Sequence, residues 1–280
     1  MESQPITSII RNSKIKIINI PAFQRPYKWE KPQITQYLND FNIVVERDLE
    51  TDYHFLGLVV YVKQRNNADS GAIDIIDGQQ RLTTTFIMIS VIRDMMHSVL
   101  DNHEGSISGL DLRDLNADIA NASNLMKQSN GLMKLTTENE SYKEHEILSG
   151  IQKGFYEFEE DQDDAFMSIY RNQDENDKNI NDAKLEYLYN IGGDRRKTRH
   201  KKAIKAYKTI YEHLSEKIFR KKYVDRYKDL SNYFNTITEK FHIISFPLES
   251  YNKAFEYFEV LNDRGLEISA LDLIKNFCLK

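Results

Sequence analysis

Cysteine is nearly absent: Cys278 is the single one among 280 residues, which excludes an internal disulfide framework and any cysteine-rich zinc site. Long apolar runs are absent too. The longest, residues 55–62, has eight residues including a glycine, against the roughly 20 that a membrane-spanning helix needs. The opening MESQPITSIIRNSK lacks the apolar stretch of a secretory signal. Glycine is scarce, at 11 residues, and neither GxxxxGKS/T nor GxGxxG spacing occurs. The Walker P-loop and the dinucleotide fingerprint are therefore excluded, although a helix N-terminus can hold an anion without either. No excess of one charge stands out: 38 bases against 43 acids leave a net −5, so a nucleic-acid surface would have to be local. The seven histidines form no ligand-like cluster with acids and asparagine, and His97 and His103 read as surface residues. The expectation is a soluble, cytoplasmic protein with a sizeable core.

Three stretches differ in texture. Residues 1–100 mix strands and helices. Ile15 and Ile17 alternate with polar residues, and Ile18 and Ile20 lead into Pro21, as in a short strand ending in a turn. Pro32 opens a helix as a first-turn residue, with Ile34, Leu38, Phe41 and Val45 as its apolar stripe. Residues 55–62 read as a buried strand, and residues 72–76 as another, ended sharply by Asp77-Gly78. Leu82, Phe86, Ile89, Ile92 and Met96 then recur at helical spacing.

Residues 101–240 read as mainly helical, with segregated charge. Residues 156–164 carry six acids, and residues 195–208 carry eight bases. From the second block onward Ile204, Tyr207, Tyr211, Leu214 and Ile218 step by three and four, as in an amphipathic helix. Residues 172–182 are polar enough for a solvated loop or a partly disordered stretch. The remaining stretch, 241–280, begins with a strand over 241–246 that Pro247 stops. A helix over about 253–261 follows, broken at residues 262–265, and Ser269 with Asp272 caps another. That last helix has only about ten residues, which is marginal in isolation, so the chain reads as the N-terminal piece of a longer one.

Four segments can carry chemistry. In IDGQQRLTT, residues 76–84, a strand delivers a tight turn and a helix begins with free N–H groups. Those donors favour an anion, Arg81 can add a bidentate phosphate contact, and Asp77 can cap the helix or hold a metal ion. A capped strand-to-helix turn with a surface arginine accounts for the same residues. In IPAFQRPYKW, residues 20–29, two prolines hold the backbone extended, and Arg25 before a proline is biased away from helix. Such a loop presents Gln24 and Arg25 in fixed directions, or simply covers the core with its aromatic residues. Asn262 and Arg264 form a third, exposed corner. The basic block offers Arg195, Arg196, Arg199 and Lys202 to DNA phosphates, or serves as a solvated face balancing the acidic block.

FQRPYKW followed by a helix, HFLGLVVY, IDIIDGQQRLTT and FEVLNDRGLEISALDLIKN together resemble the N-terminal domain of GmrSD-type, modification-dependent restriction endonucleases. That family belongs to the wider ParB and sulfiredoxin-like superfamily. The resemblance covers nearly the whole chain, with residues 101–235 similar in helical texture only. It implies an α+β fold. Residues 1–100 would form a ParB-like mixed α/β core, 101–240 a large helical insertion, and 241–280 a strand and helices completing the core.

The resemblance further implies binding and hydrolysis of a nucleoside triphosphate with magnesium, and control of a DNA-cleaving partner in restriction or phage defence. Asp77, Gln80 and Arg81 would then be catalytic. Arg25 and Arg81 would bind phosphates, Gln24 and Gln80 would position phosphate or attacking water, and Asp77 would support the metal ion. Gly78, Gln79, Thr83, Asn262 and Arg264 would complete the nucleotide site. Expected partners are the nucleotide, modified phage DNA and a nuclease domain beyond Lys280 or on a separate chain, but no membrane. Oligomeric state stays open, a homodimer included. Two other functions fit the same residues: a ParB-like reader of DNA or its modification that does not hydrolyse nucleotide, and a structural interaction domain for a nuclease.

Overall fold

The computed structural model describes residues 2–47, 53–64, 71–102, 108–126, 135–137, 142–174, 178–191 and 201–253. The chain runs β1 (Gln4–Pro5), α1 (Thr7–Arg11), β2 (Ile17–Ile20), α2 (Lys31–Arg47), β3 (His54–Lys63), β4 (Ala72–Asp77) and α3 (Gln79–Asp101). It continues with α4 (Gly109–Met126), β5 (Leu135–Thr137), α5 (Tyr142–Gln152), α6 (Phe155–Glu160), α7 (Asp164–Arg171) and α8 (Ile180–Ile191). Then come α9 (Lys201–Ile218), α10 (Tyr223–Asn235), a π-helix turn (Thr236–Lys240) and β6 (Phe241–Leu248). The fold is α+β, with one six-stranded mixed sheet ordered β1-β6-β3-β4-β2-β5.

α3 is the centre. Almost every side chain from Leu82 to Val99 is buried, as expected of a helix wrapped by others rather than lying on a surface. It packs against α4, α5, α8, α9 and α10. On β4, successive side chains point to opposite faces. Ile73 and Ile75 enter the main core, and Ile76 joins a smaller cluster with Val62 and Leu248. The main core gathers residues from Ile6 to Ile243, so all three sequence stretches contribute to it. β5 enters the sheet from the middle stretch by pairing parallel to β2, Ile18 opposite Leu135.

Several sequence expectations are met, and others shift. The stripe Ile204, Tyr207, Tyr211, Leu214 and Ile218 is buried along α9. β6 does not stop at Pro247 but runs through it, pairing Pro247 with Tyr61. That is allowed because β1 covers β6 only at His242 and Ile243, so a proline without N–H sits where no ladder partner is needed. Residues 172–182 are not all a solvated loop: Ile180 and Asn181 are fully buried at the start of α8. The Asn181 amide donates to the Tyr207 hydroxyl at 2.9 Å, so a polar residue is buried because it is paired. His97 is not at the surface; it is buried between the rings of Phe155 and Tyr156. The helix expected after residue 253, the 262–265 corner and the Ser269 cap lie outside the described residues. Among the described residues, no helix is long and apolar enough to cross a membrane.

Candidate functional site: the β4–α3 turn and the loop over it

β4 ends at Asp77, and Gly78 turns the chain at φ +89° into α3. A side chain at Gly78 would strike the Leu58 carbonyl oxygen and Val59 of β3, so a glycine is needed for both conformation and room. The Asp77 carboxylate does not cap the helix. It is half-exposed and lies 3.7 Å from Arg81.

Arg81 is not a free surface arginine. Its Nη1 donates to the Leu56 carbonyl at 2.6 Å, and its Nη2 to the Leu58 carbonyl at 2.8 Å. Between those carbonyls lies Gly57, at φ +107°, where the β3–β6 register slips. Any Cβ at Gly57 would collide with the guanidinium. A lone glycine in a strand of β-branched residues marks such a close approach.

The loop 23–29 is laced to this turn by side-chain amides. Gln24 Nε2 donates to the Ile76 carbonyl at 2.8 Å, and Gln79 Nε2 to the Arg25 carbonyl at 2.8 Å. Gln80 Oε1 accepts from the backbone N–H of Lys28 at 2.7 Å and of Trp29 at 3.3 Å. Tyr27 is 2% exposed, with its hydroxyl 2.8 Å from Thr84 Oγ1 and its N–H donated to Glu144 of α5 at 2.8 Å. Burial pushes the Tyr27 phenol well above its ordinary value. It also raises the Glu144 carboxyl, against the opposing pull of the Tyr27 N–H.

Arg25 is the exception in this network. Its backbone is pinned, yet its side chain is exposed, with no hydrogen bond or ion pair to any described residue. The structure thus brings Gln24, Arg25, Asp77, Gly78, Gln79, Gln80 and Arg81 together. Thr83 lies on the buried side of α3, fully enclosed, because it follows the first turn on the core-facing side. Asn262 and Arg264 lie outside the described residues, as do Arg195, Arg196 and Arg199. Lys202, near the start of α9, is paired with Glu30 at 2.7 Å, which sets the basic helix beside the end of the loop. Glu144 was not legible beforehand, since nothing local marks it apart from the other acids of residues 138–146.

The donor set also bears on magnesium. Among the described residues, no three His, Cys, Asp or Glu side chains gather as a metal site, and Asp77 is the one carboxylate of the turn. One carboxylate suits an ion that arrives with phosphate oxygens and keeps its waters, which is the habit of magnesium.

Residues 6–279 match the family model described as the GmrSD restriction endonuclease, N-terminal domain. The chain belongs to this family. No curated protein matches it. As a GmrSD N-terminal domain it is part of a restriction endonuclease, an enzyme whose substrate is DNA and whose cutting is done by a nuclease domain. The loop, the glycine bulge and the DGQQR turn, separate strings in the sequence, are in this GmrSD domain one hydrogen-bonded unit.

Proposed function

We propose that this GmrSD N-terminal domain binds and hydrolyses a nucleoside triphosphate at the β4–α3 turn, and that nucleotide state controls a nuclease domain acting on modified phage DNA. The observation that carries this reading is Arg25: four side-chain anchors fix the loop around it, while its guanidinium has no hydrogen-bond or ion-pair partner among the described residues. Gln79, the first residue of a 23-residue helix, holds the Arg25 carbonyl, so the Arg25 backbone lies beside a helix N-terminus. Unpaired N–H groups there favour an anion.

Roles follow from what each side chain already touches. Arg25 takes phosphate oxygens. Asp77 orients the magnesium–phosphate group, and magnesium, when bound, neutralises charge on the phosphates. Gln24, Gln79 and Gln80 serve the phosphate indirectly, through the loop they hold. Arg81 fixes β3 against the turn through the Leu56 and Leu58 carbonyls. Lys202, Lys205 and Lys208 of α9, with Arg195, Arg196 and Arg199 before them, meet DNA phosphates.

The decisive experiment is a phosphate-release and equilibrium-binding panel over the common nucleoside triphosphates, with and without magnesium and modified DNA. Arg25→Ala removes a charged hydrogen-bonding partner of the ligand, which costs roughly 1.5–3 kcal/mol of binding. Its melting temperature stays at the wild-type value, because the side chain is exposed. Wild-type nucleotide binding by a folded Arg25→Ala protein would overturn the site. Loss of DNA binding with no nucleotide binding at all would instead assign Arg25 to a DNA reader.

A further inference from the structure

Three of the four anchors of the loop come from its immediate neighbours, Gln24 within it and Gln79 and Gln80 at the start of α3. The fourth comes from far along the chain. Glu144 of α5, 117 positions after Tyr27, accepts the Tyr27 N–H at 2.8 Å. The carboxylate is 4% exposed. Its charge lies in the first turn of α5, where the helix dipole favours an anion. Tyr27 is held at both ends, its N–H by Glu144 and its hydroxyl by Thr84. Arg25 lies two residues before it, across a single proline, so displacing the Tyr27 backbone displaces Arg25.

We propose that Glu144 is a positioning residue for the anion site. It belongs to the helical stretch rather than to the turn, and it sets the conformation in which the loop presents Arg25. Because α5 also packs on α8 and α9, the helical layer carrying the basic face is tied mechanically to the loop. The role assigned to Arg25 here rests on the nucleotide reading above; the loop anchor itself is read separately.

The test uses the full chain and three variants. Glu144→Ala leaves a buried N–H without its acceptor. Glu144→Gln keeps an oxygen acceptor and removes the charge. Glu144→Asp keeps the charge and draws the carboxylate back by one methylene, and it carries the test if the alanine variant does not fold. Hydrogen exchange at the Tyr27 amide reports the anchor. Equilibrium dialysis with ATP and with GTP, each with magnesium, reports the site. The expected result is Tyr27 exchange about tenfold faster and nucleotide affinity about tenfold weaker in Glu144→Ala and Glu144→Asp, the scale of one unsatisfied buried donor. Glu144→Gln returns both readouts close to wild type. Arg25→Ala, by contrast, loses nucleotide while keeping Tyr27 protected.

Wild-type exchange and affinity in folded Glu144→Ala or Glu144→Asp would overturn the proposal. A glutamine variant as impaired as the alanine variant would overturn it as well, since an acceptor alone would then not suffice. Faster Tyr27 exchange in a protein that binds neither nucleotide would sink the nucleotide reading and support the anchor.

Discussion

Arg81 and Gly57 account for each other. The arginine needs a strand position with no side chain, and the glycine's φ of +107° turns two carbonyls toward one guanidinium. From the sequence alone, Arg81→Ala is expected to leave stability almost untouched. The structure changes that expectation, because two charge-assisted hydrogen bonds on one side chain contribute about 1.5–3 kcal/mol in comparable settings. Arg81→Ala is thus expected to lower unfolding free energy by about 2 kcal/mol, read by denaturant titration. Gly57→Ala should destabilise too, through both the positive φ and the collision. The double variant should be less destabilised than the sum of the two, since removing the guanidinium removes the collision. Strict additivity would show that the two residues do not touch in solution.

At the scale of elements, the helices around α3 are held in register by a buried polar cluster. Asp94 is 1% exposed and sits beside Arg93, with Lys184 of α8 at 2.5 Å and the Tyr207 hydroxyl of α9 at 2.7 Å. Arg93 donates onward to the carbonyls of Gln152 and Lys153 at 2.6 and 2.7 Å, satisfying the C-terminal end of α5. Burial pulls the Lys184 amine down to about 8, with Asp94 opposing. Asp94→Ala strands two buried cations, and such losses run to about 3–5 kcal/mol. Lys184→Met should cost less, because Asp94 keeps Arg93 and Tyr207. A chemical-denaturation series in which Lys184→Met is the worse of the two would contradict this. An Arg93-Asp94 pair inside an apolar helix was the available signal. Its partners were not readable, since Lys184 and Tyr207 lie 90 and 113 positions from Asp94.

Across the whole molecule, tyrosine burial sets the alkaline limit. Tyr27, Tyr37 and Tyr207 are held well above the ordinary value of 10.0 by burial, and Tyr233 is pushed up to about 12. A group whose folded value lies above its unfolded value binds more protons when folded. Its contribution is fully present below pH 10 and is lost as pH rises through the folded values. Cooperative unfolding above pH 10 is therefore expected, with the last part of the tyrosinate absorbance, from the buried rings, and helical circular dichroism changing together. Tyrosinate absorbance reaching its full amplitude near pH 10 while the helices persist would show these rings to be more accessible than the structure has them.

Local regularities were legible wherever one element's own pattern decides its state. The apolar stripe of α9 buries as its spacing requires. Asp77-Gly78 ends β4 and opens α3 because few other residues tolerate that turn. The strings FQRPYKW and DGQQRLTT marked the residues that meet at the turn. Short or irregular pieces were not legible: β1 has two residues and β5 three, too few for a period to show.

What the sequence by itself determined is the state and order of β2, α2, β3, β4, α3, α9 and β6, through apolar period, and the family, through strings long enough to be specific. The tertiary structure alone decided how the polar groups are used. Gln80 could have faced a ligand or the loop backbone, and Arg81 a phosphate or two carbonyls; composition and spacing are the same in either case. A buried hydrogen-bonding group must find a partner, and that partner is chosen by three-dimensional proximity between residues as distant as Tyr27 and Glu144. Arg25 stands out only after those partners are assigned, as the guanidinium left without one among the described residues of the loop.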